Sequence, residues 1–164
     1  MKPLALDLPY PSTETLTKDI RSGQILSFAY ASDEGELTAV LQYVYQSIVL
    51  QRSCPTLSQT LSAIAACEMH HFRLLGEAMQ NCGVTPTITK RAGGNVYDAS
   101  CVCRSTDPRQ IVSAAMKSEL EAIATHKKML SVLHNEEIEK LVERLILDEQ
   151  LHYDTLKGLT EQDL

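Results

Sequence analysis

Apolar and polar residues follow one another with a helical period along most of the chain. In four long stretches, apolar residues recur every three or four positions, which is typical of helices with one buried face. We therefore predict an all-α protein with four long helices, over residues 24–52, 55–81, 107–134 and 135–158. A short helix is expected before them, beginning at Ser12 or Thr13 and running to about Arg21, with Gly23 ending or bending it.

Helix-breaking and helix-capping residues mark the ends of these stretches. Pro55 stands at a first helical position, and Gly83 follows the second stretch as a C-terminal stop. Asp107-Pro108 has the form of an N-cap followed by a first helical residue, and Asn135 can cap the fourth helix. Within the first stretch, the segment 33–35 (Asp-Glu-Gly) interrupts the apolar pattern, so a local kink is expected there.

The connection between the second and third helices is long and has no helical pattern. It spans Val84–Thr106 and contains Pro86 and a pair of glycines. A connection of this length is unusual unless it crosses from one helical hairpin to the other. The sequence thus predicts a four-helix bundle with one crossover. Its organisation is an N-terminal arm and short helix at 1–23, the bundle at 24–158 and a C-terminal tail at 159–164.

One polar motif occurs in both predicted hairpins. In the first hairpin, the run Glu36–Tyr43 (ELTAVLQY) is followed on the next helix by Glu68–His71 (EMHH). In the second hairpin, Glu119–His126 (ELEAIATH) is followed by Glu149–His152 (EQLH). A single Glu-x-x-His pair is a weak signal. The pair occurs twice, each time at a similar distance after a lone helical glutamate. This repetition indicates two related hairpins that contribute equivalent residues to one site.

These motifs predict a dinuclear metal site. Residues three apart on a helix share a face, so the two members of each Glu-x-x-His pair can bind the same ion. The lone glutamates lie on apolar faces, where a carboxylate is costly to bury unless a cation pairs with it. Four carboxylates and two imidazoles suit two Fe or two Mn ions inside a four-helix bundle. The predicted ligands are Glu36, Glu68, His71, Glu119, Glu149 and His152.

Two further residues lie two helical turns after the lone glutamates. Tyr43 and His126 can hydrogen-bond a ligand on a neighbouring helix, or they are core aromatic residues with one satisfied polar tip. The repeat also favours Glu119 over Glu121 as the third-helix ligand, because Glu121 falls on the far side of the helix. A direct metal contact from His126 would need a long reach.

Asp148 precedes the ligand Glu149 and completes the set of candidate catalytic residues with Tyr43 and His126. Its carboxylate can accept a hydrogen bond from His71, which would orient that imidazole toward a metal ion. The alternative is a carboxylate exposed to solvent.

The net charge and the cysteine content argue against some classes of function. The net charge of −6 and the lack of a basic cluster argue against a nucleic-acid partner. No signal peptide and no membrane-spanning apolar run are evident, so we expect a cytoplasmic protein without a membrane partner. The five cysteines fit neither a disulfide framework nor a zinc site. We expect free thiols, with a role in peroxide chemistry as the alternative, because Cys67 adjoins Glu68.

Over roughly residues 24–158 the chain resembles the ferritin-like superfamily. The run Glu36–Tyr43 is similar to the first-helix signature of bacterioferritins and rubrerythrin-like proteins, and the two Glu-x-x-His motifs are similar to theirs. The resemblance implies a di-iron or dimanganese carboxylate centre that acts on O2 or hydrogen peroxide. It also implies that Glu68 and Glu149 bridge the two ions and that Glu36 and Glu119 each bind one.

The departures from these relatives refine the expected function. The chain lacks the paired Cys-x-x-Cys motifs of a rubredoxin-type domain, so an electron donor would be external. Rubrerythrins carry a further glutamate where this chain has Ala122. Little sequence follows the fourth helix, which argues against a storage shell and leaves a homodimer as the expectation. We predict a rubrerythrin-like peroxidase or catalase; the alternatives are a ferroxidase or iron-handling protein, and an interaction module without chemistry.

Overall fold

Five α-helices build the bundle in the computed structural model, which describes residues 2–90 and 94–160. They are α1 (Ile20–Tyr30), α2 (Glu36–Leu50), α3 (Pro55–Asn81), α4 (Pro108–Leu130) and α5 (Glu136–Thr160). α2 pairs with α3 and α4 pairs with α5, while α1 packs on the C-terminal half of α3. α1 and α2 together thus fill the place of the first bundle helix. The predicted all-α four-helix bundle is confirmed.

The predicted helix over residues 12–21 is wrong. Residues 12–19 are not helical, and a turn lies at residues 13–15, where the Ser12 hydroxyl accepts a hydrogen bond from the Glu14 amide and binds the backbone locally. The first helix begins at Ile20, capped by the Asp19 side chain. Gly23 does not end this helix. It lies inside α1, where a Cβ would stand 2.8 Å from a methyl group of Val84, so glycine permits the close packing.

The expected kink near residue 33 is a complete break. Residues 31–35 are not helical, and α2 begins at Glu36. A Cβ on Gly35 would stand 2.5 Å from the carbonyl oxygen of Ala29, so the chain can fold back this closely only with glycine. The Thr38 hydroxyl donates to the carbonyl of Ser32 at 2.8 Å and closes the connection. The break places the N-terminus of α2 inside the bundle.

Several predicted helix ends are confirmed. α3 has the predicted bounds, and Gly83 follows it with a positive φ of 83°. The Asp107 side chain caps α4 by accepting from the Arg109 amide at 3.0 Å. Asn135 caps α5. α4 ends at Leu130, however, four residues before the predicted end, and α5 reaches Thr160.

The crossover between α3 and α4 packs against α2. It has no regular strand among its described residues, only one bridge between Thr89 and Val96 and a short 3-10 helix, Ala99–Cys101. The side chain of Gln42 accepts a hydrogen bond from the Cys103 amide at 2.9 Å and fixes the crossover on α2. Of the predicted C-terminal tail, residues 161–164 lie outside the described residues.

The apolar core is divided into two clusters. One contains Leu26, Leu75 and Leu141 and joins α1, α3 and α5. The other contains Leu61 and Ile111 and joins α2, α3, α4 and α5 toward the opposite end. Between the clusters lies a layer of buried polar side chains.

No helix within residues 2–90 and 94–160 is long and apolar enough to cross a membrane.

Candidate metal centre

Six buried side chains from four helices meet in the polar layer. α2 and α4 contribute one glutamate each, while α3 and α5 each contribute a glutamate and a histidine one turn apart. None of the six is more than 4% exposed. The structure therefore brings together every residue of the predicted ligand set: Glu36, Glu68, His71, Glu119, Glu149 and His152.

The six side chains form two overlapping groups. Within each group, the candidate ligand atoms all lie within 4.8 Å of one another. The groups are Glu36, Glu68, His71 and Glu149, and Glu68, Glu119, Glu149 and His152. Glu68 and Glu149 belong to both. This is the geometry of two neighbouring cation sites that share two carboxylates.

His71 directs its two ring nitrogens to opposite sides. Nδ1 lies 3.1 Å from Glu68, 3.2 Å from Glu149 and 3.8 Å from Glu36. Nε2 lies 3.1 Å from a carboxylate oxygen of Asp148. Because an ionised carboxylate only accepts hydrogen bonds, Nε2 carries a proton. The inner nitrogen, Nδ1, faces three carboxylates.

His152 has the same arrangement. Nδ1 lies 3.0 Å from Glu68, 3.2 Å from Glu149 and 3.4 Å from Glu119. Nε2 lies 2.7 Å from the backbone carbonyl oxygen of Leu4. A carbonyl oxygen can only accept, so Nε2 of this imidazole also carries a proton.

Both imidazoles therefore need a proton, a metal ion or a protonated carboxyl group facing Nδ1. In a neutral imidazole the single proton is on Nε2, and the lone pair of Nδ1 would face the carboxylates, which is repulsive. A proton or a metal ion at Nδ1 removes the repulsion. Glu149 Oε1 also makes no hydrogen bond although it is buried. Carboxylate oxygens and imidazole nitrogens suit Fe and Mn, so these residues fit a dinuclear centre of either metal.

Without a bound cation, burial and the neighbouring charges shift the pKa values of these groups. Burial disfavours imidazolium, yet the contacts with Asp148, Glu149 and Glu36 together outweigh it and raise the pKa of His71 well above its usual range. The charge of Glu68 acts likewise to raise the pKa of His152. Burial raises the pKa of Glu68 well above normal and that of Glu119 to about 7. Metal binding must therefore release protons from this cluster.

Tyr43 and His126, the two residues two turns from a lone glutamate, both reach the cluster. The Tyr43 hydroxyl is buried and donates a hydrogen bond to Glu119 Oε1. His126 Nε2 lies 3.4 Å from Glu36 Oε1, but neither ring nitrogen of His126 makes a hydrogen bond. Tyr43 therefore orients a candidate ligand, whereas the buried ring nitrogens of His126 make no hydrogen bond within the described part of the chain.

Asp148 is completely buried, so the alternative of an exposed carboxylate is wrong. It accepts hydrogen bonds from His71 Nε2, from the Tyr10 hydroxyl and from the Leu6 amide, and it pairs with Arg144 at 2.8 Å. Burial alone would raise its pKa, but these partners hold the pKa of Asp148 well below its usual range. Asp148 is thus an anion that fixes His71.

The sequence analysis predicted the hydrogen bond from His71 to Asp148 but missed the other partners of Asp148. Arg144 stands four residues before it on the same helix, a spacing at which opposite charges pair, so this contact was detectable. The contributions of Leu4, Leu6 and Tyr10 were not, because two of them are backbone groups of a non-helical segment.

Cys67 is also close, with Sγ 3.3 Å from His71 Nε2, and all five cysteines are free thiols.

A small cavity leads to the carboxylates from the break between α1 and α2. Its volume is about 30 Å³, and its lining includes Tyr43, Ala122, His126 and Gly35 besides the four glutamates. A wider surface groove of about 430 Å³ adjoins it, since both are lined by Asp33, Glu34 and Thr125. The inner cavity has room for one or two molecules the size of water.

Sequence comparison assigns the family. The rubrerythrin family model matches residues 24–160. The chain belongs to the rubrerythrin family. Members of this family have a ferritin-like bundle with a dinuclear carboxylate centre, in agreement with the two overlapping ligand groups of this rubrerythrin-family protein. Comparison with curated protein sequences finds no significant match.

Solved structures confirm the ferritin-like fold. KatB, a manganese catalase from Anabaena, superposes with a TM-score of 0.83 at 21% identity, over 94% of this chain and 78% of KatB. The bacterioferritin of Desulfovibrio desulfuricans, which has a diiron site, gives a TM-score of 0.68 at 25% identity, over 86% and 78%. A dodecameric thioferritin from Bacteroides fragilis gives 0.70 at 16% identity, over 88% of each chain.

Proposed function

We propose that this rubrerythrin-family protein binds two Fe or two Mn ions and acts on hydrogen peroxide or O2 as a peroxidase or catalase. The six converging side chains are its metal ligands. The observation that carries the proposal is the pair of overlapping ligand groups, each with an imidazole whose inner nitrogen faces only carboxylates. Glu68 and Glu149 would bridge the ions, because they alone belong to both groups.

Two redox-active ions held side by side supply electron exchange with an O–O bond. The protein's own residues decide what reaches them. The cavity at the carboxylates holds only molecules about the size of water, which favours hydrogen peroxide or O2 over a larger organic substrate. Its apolar wall includes Ala39 and Ala122.

His126 and Tyr43 are the candidate catalytic residues at this cavity. Among residues 2–90 and 94–160, no group makes a hydrogen bond to the His126 ring, so a small molecule in the cavity can hydrogen-bond to it. The Tyr43 hydroxyl donates a hydrogen bond to Glu119 Oε1 and thereby holds that carboxylate in one rotamer. Asp148 does not line the cavity and acts as a positioning residue through His71.

The activity is tested on protein loaded separately with Mn²⁺ and with Fe²⁺. We expect consumption of hydrogen peroxide by at least one form. Consumption without a reductant would identify a catalase, and consumption only with an added electron donor would identify a peroxidase.

The likeness to a bacterioferritin favours a second candidate, iron handling. Oxidation and retention of Fe²⁺ without peroxide turnover would support that candidate and contradict the first.

The cavity gives a prediction of its own. Ala122→Val fills part of it and is expected to lower peroxide turnover by roughly 10-fold or more, because the oxidant loses its position at the ions. Metal content should stay at two ions per chain, since Ala122 supplies no ligand atom. Ala124→Val, on an exposed position of α4, is the matched control. Equal turnover of Ala122→Val and wild type would show that the oxidant enters elsewhere.

We also propose that the protein is a homodimer. Four apolar residues of α2 are 36–65% exposed and share one face: Leu41, Val44, Tyr45 and Ile48. An uncharged stripe of this kind can pair with itself around a two-fold axis. Light scattering on the purified protein should give twice the chain mass of 18.2 kDa; a monomer mass would contradict the proposal.

A further inference from the structure

Residues 2–10 form a non-helical segment that lies along the bundle. We call residues 2–10 the N-terminal arm; it contains no helix. The Leu4 amide donates to the carbonyl of Ala63 on α3 at 3.0 Å. On α5, the Arg144 guanidinium donates to the carbonyls of Leu6 and Leu8 at 3.0 and 3.2 Å. The arm is thus attached to both helices that carry a Glu-x-x-His pair.

The arm provides the outer hydrogen bond of His152. The carbonyl oxygen of Leu4 lies 2.7 Å from His152 Nε2 and accepts its proton. This contact fixes the tautomer and the rotation of the ring, so that the lone pair of Nδ1 points at Glu68, Glu119 and Glu149 when the imidazole is neutral. No side chain of the bundle does this for His152 within the described residues.

The same arm holds the outer partner of His71. The Leu6 amide donates to Asp148 Oδ1 at 2.8 Å, and the Tyr10 hydroxyl donates to Asp148 Oδ2. Asp148 Oδ2 in turn accepts from His71 Nε2 at 3.1 Å. The Tyr10 ring is itself held in place, because the Arg144 guanidinium stacks on it at 4.2 Å from the ring centre.

We propose that the N-terminal arm is a positioning element of the metal centre: it holds both ligand histidines through their outer nitrogens, so that arm docking and metal binding stabilise each other. The inference rests on the proposed ligand set and goes beyond it. The arm lies outside the residues that the rubrerythrin family model matches. Coupling of two equilibria is reciprocal, so whatever the arm adds to metal affinity, bound metal adds to arm docking.

The experiment measures Mn²⁺ affinity in three variants and the wild type. A chain that starts at Pro11 lacks the arm and is expected to bind Mn²⁺ about 10–100-fold more weakly, the usual effect of losing outer contacts to metal ligands. Tyr10→Phe removes one hydroxyl and should show a smaller loss in the same direction. Tyr45→Phe removes a hydroxyl outside the arm that donates to the Arg104 carbonyl, and this control variant should bind Mn²⁺ like wild type.

A second measurement does not depend on how the shortened chain folds. In the full-length wild type, under conditions in which the arm exchanges by local opening, Mn²⁺ should slow hydrogen exchange at the Leu4 and Leu6 amides. An arm that only stabilises the fold would open locally at the same rate with and without Mn²⁺. Wild-type affinity in both arm variants, or unchanged exchange, would overturn the inference and leave the proposed function intact. Failure of the wild type itself to bind Mn²⁺ or Fe²⁺ would overturn both.

Discussion

Glu68→Gln is expected to lose the metal pair and to be more stable than the wild type when both are metal-free. The glutamine keeps the volume of the side chain but provides a poor bridge between two ions. Removing an outer contact usually costs 10–100-fold in metal affinity, so loss of a bridging carboxylate should cost more than roughly 100-fold, and peroxide turnover should fall with it. Elemental analysis and a peroxide assay measure both effects.

The stability of this variant separates the metal-centre account from a purely structural one. Burial and the charge of Glu149 raise the pKa of Glu68, so its ionised form opposes folding. The stability of the metal-free wild type therefore falls as pH rises through the pKa of Glu68 in the folded state, whereas the glutamine variant has no such loss. Near neutral pH we therefore expect the glutamine variant to be the more stable of the two metal-free proteins.

Glu77→Gln is the control for this variant. Glu77 lies on the same helix but is exposed, where it pairs with Arg73 at 2.7 Å. It should keep both metal content and stability close to wild type. Two results together would contradict this account: a Glu68→Gln variant that takes up as much metal as wild type, and a metal-free form of it that is clearly less stable than metal-free wild type. They would indicate that Glu68 serves the fold and not a metal.

Asp148→Ala is expected to lower the free energy of unfolding by about 3–5 kcal/mol, as is usual when one partner of a buried ion pair is removed. Arg144 is 5% exposed and would retain a buried charge without its carboxylate partner. The Leu6 amide and Tyr10 hydroxyl would lose their acceptor, which should loosen the N-terminal arm. Urea unfolding of the metal-free protein at neutral pH measures the effect.

The pH dependence of this difference has a definite sign. The pKa of Asp148 is held well below that of a free aspartate, so its contribution is complete at neutral pH. It is lost as pH falls below about 4, where the unfolded chain takes up the proton first. Asp154→Ala removes an exposed carboxylate from the same helix and should change stability by less than about 0.5 kcal/mol. A similarly small effect of Asp148→Ala would contradict the proposed network.

The sequence was sufficient to predict the bundle and the convergence of the six candidate ligands. Local signals account for this success: Pro55, Asp107 and Asn135 mark helix starts by their own backbone and side-chain chemistry. A Glu-x-x-His pair places both side chains on one helix face whatever surrounds it. Repetition then required the two faces to be turned toward the same interior.

The features that the sequence did not reveal depend on contacts between distant segments. Residues 12–18 have the polar composition of a helix start, but they are not helical, and the helix cap is Asp19 instead. The break before Glu36 is set by close packing of Gly35 against Ala29. His152 contacts Leu4 through a backbone carbonyl, which every residue has, so the amino-acid sequence could not predict this contact.

The central claim is that the six side chains hold two metal ions, and metal stoichiometry tests it most directly. The wild-type protein is loaded anaerobically with Fe²⁺ or Mn²⁺, freed of unbound metal and analysed by elemental mass spectrometry. The account predicts two ions per chain for at least one of the metals. Retention of less than one ion per chain for both metals would contradict it.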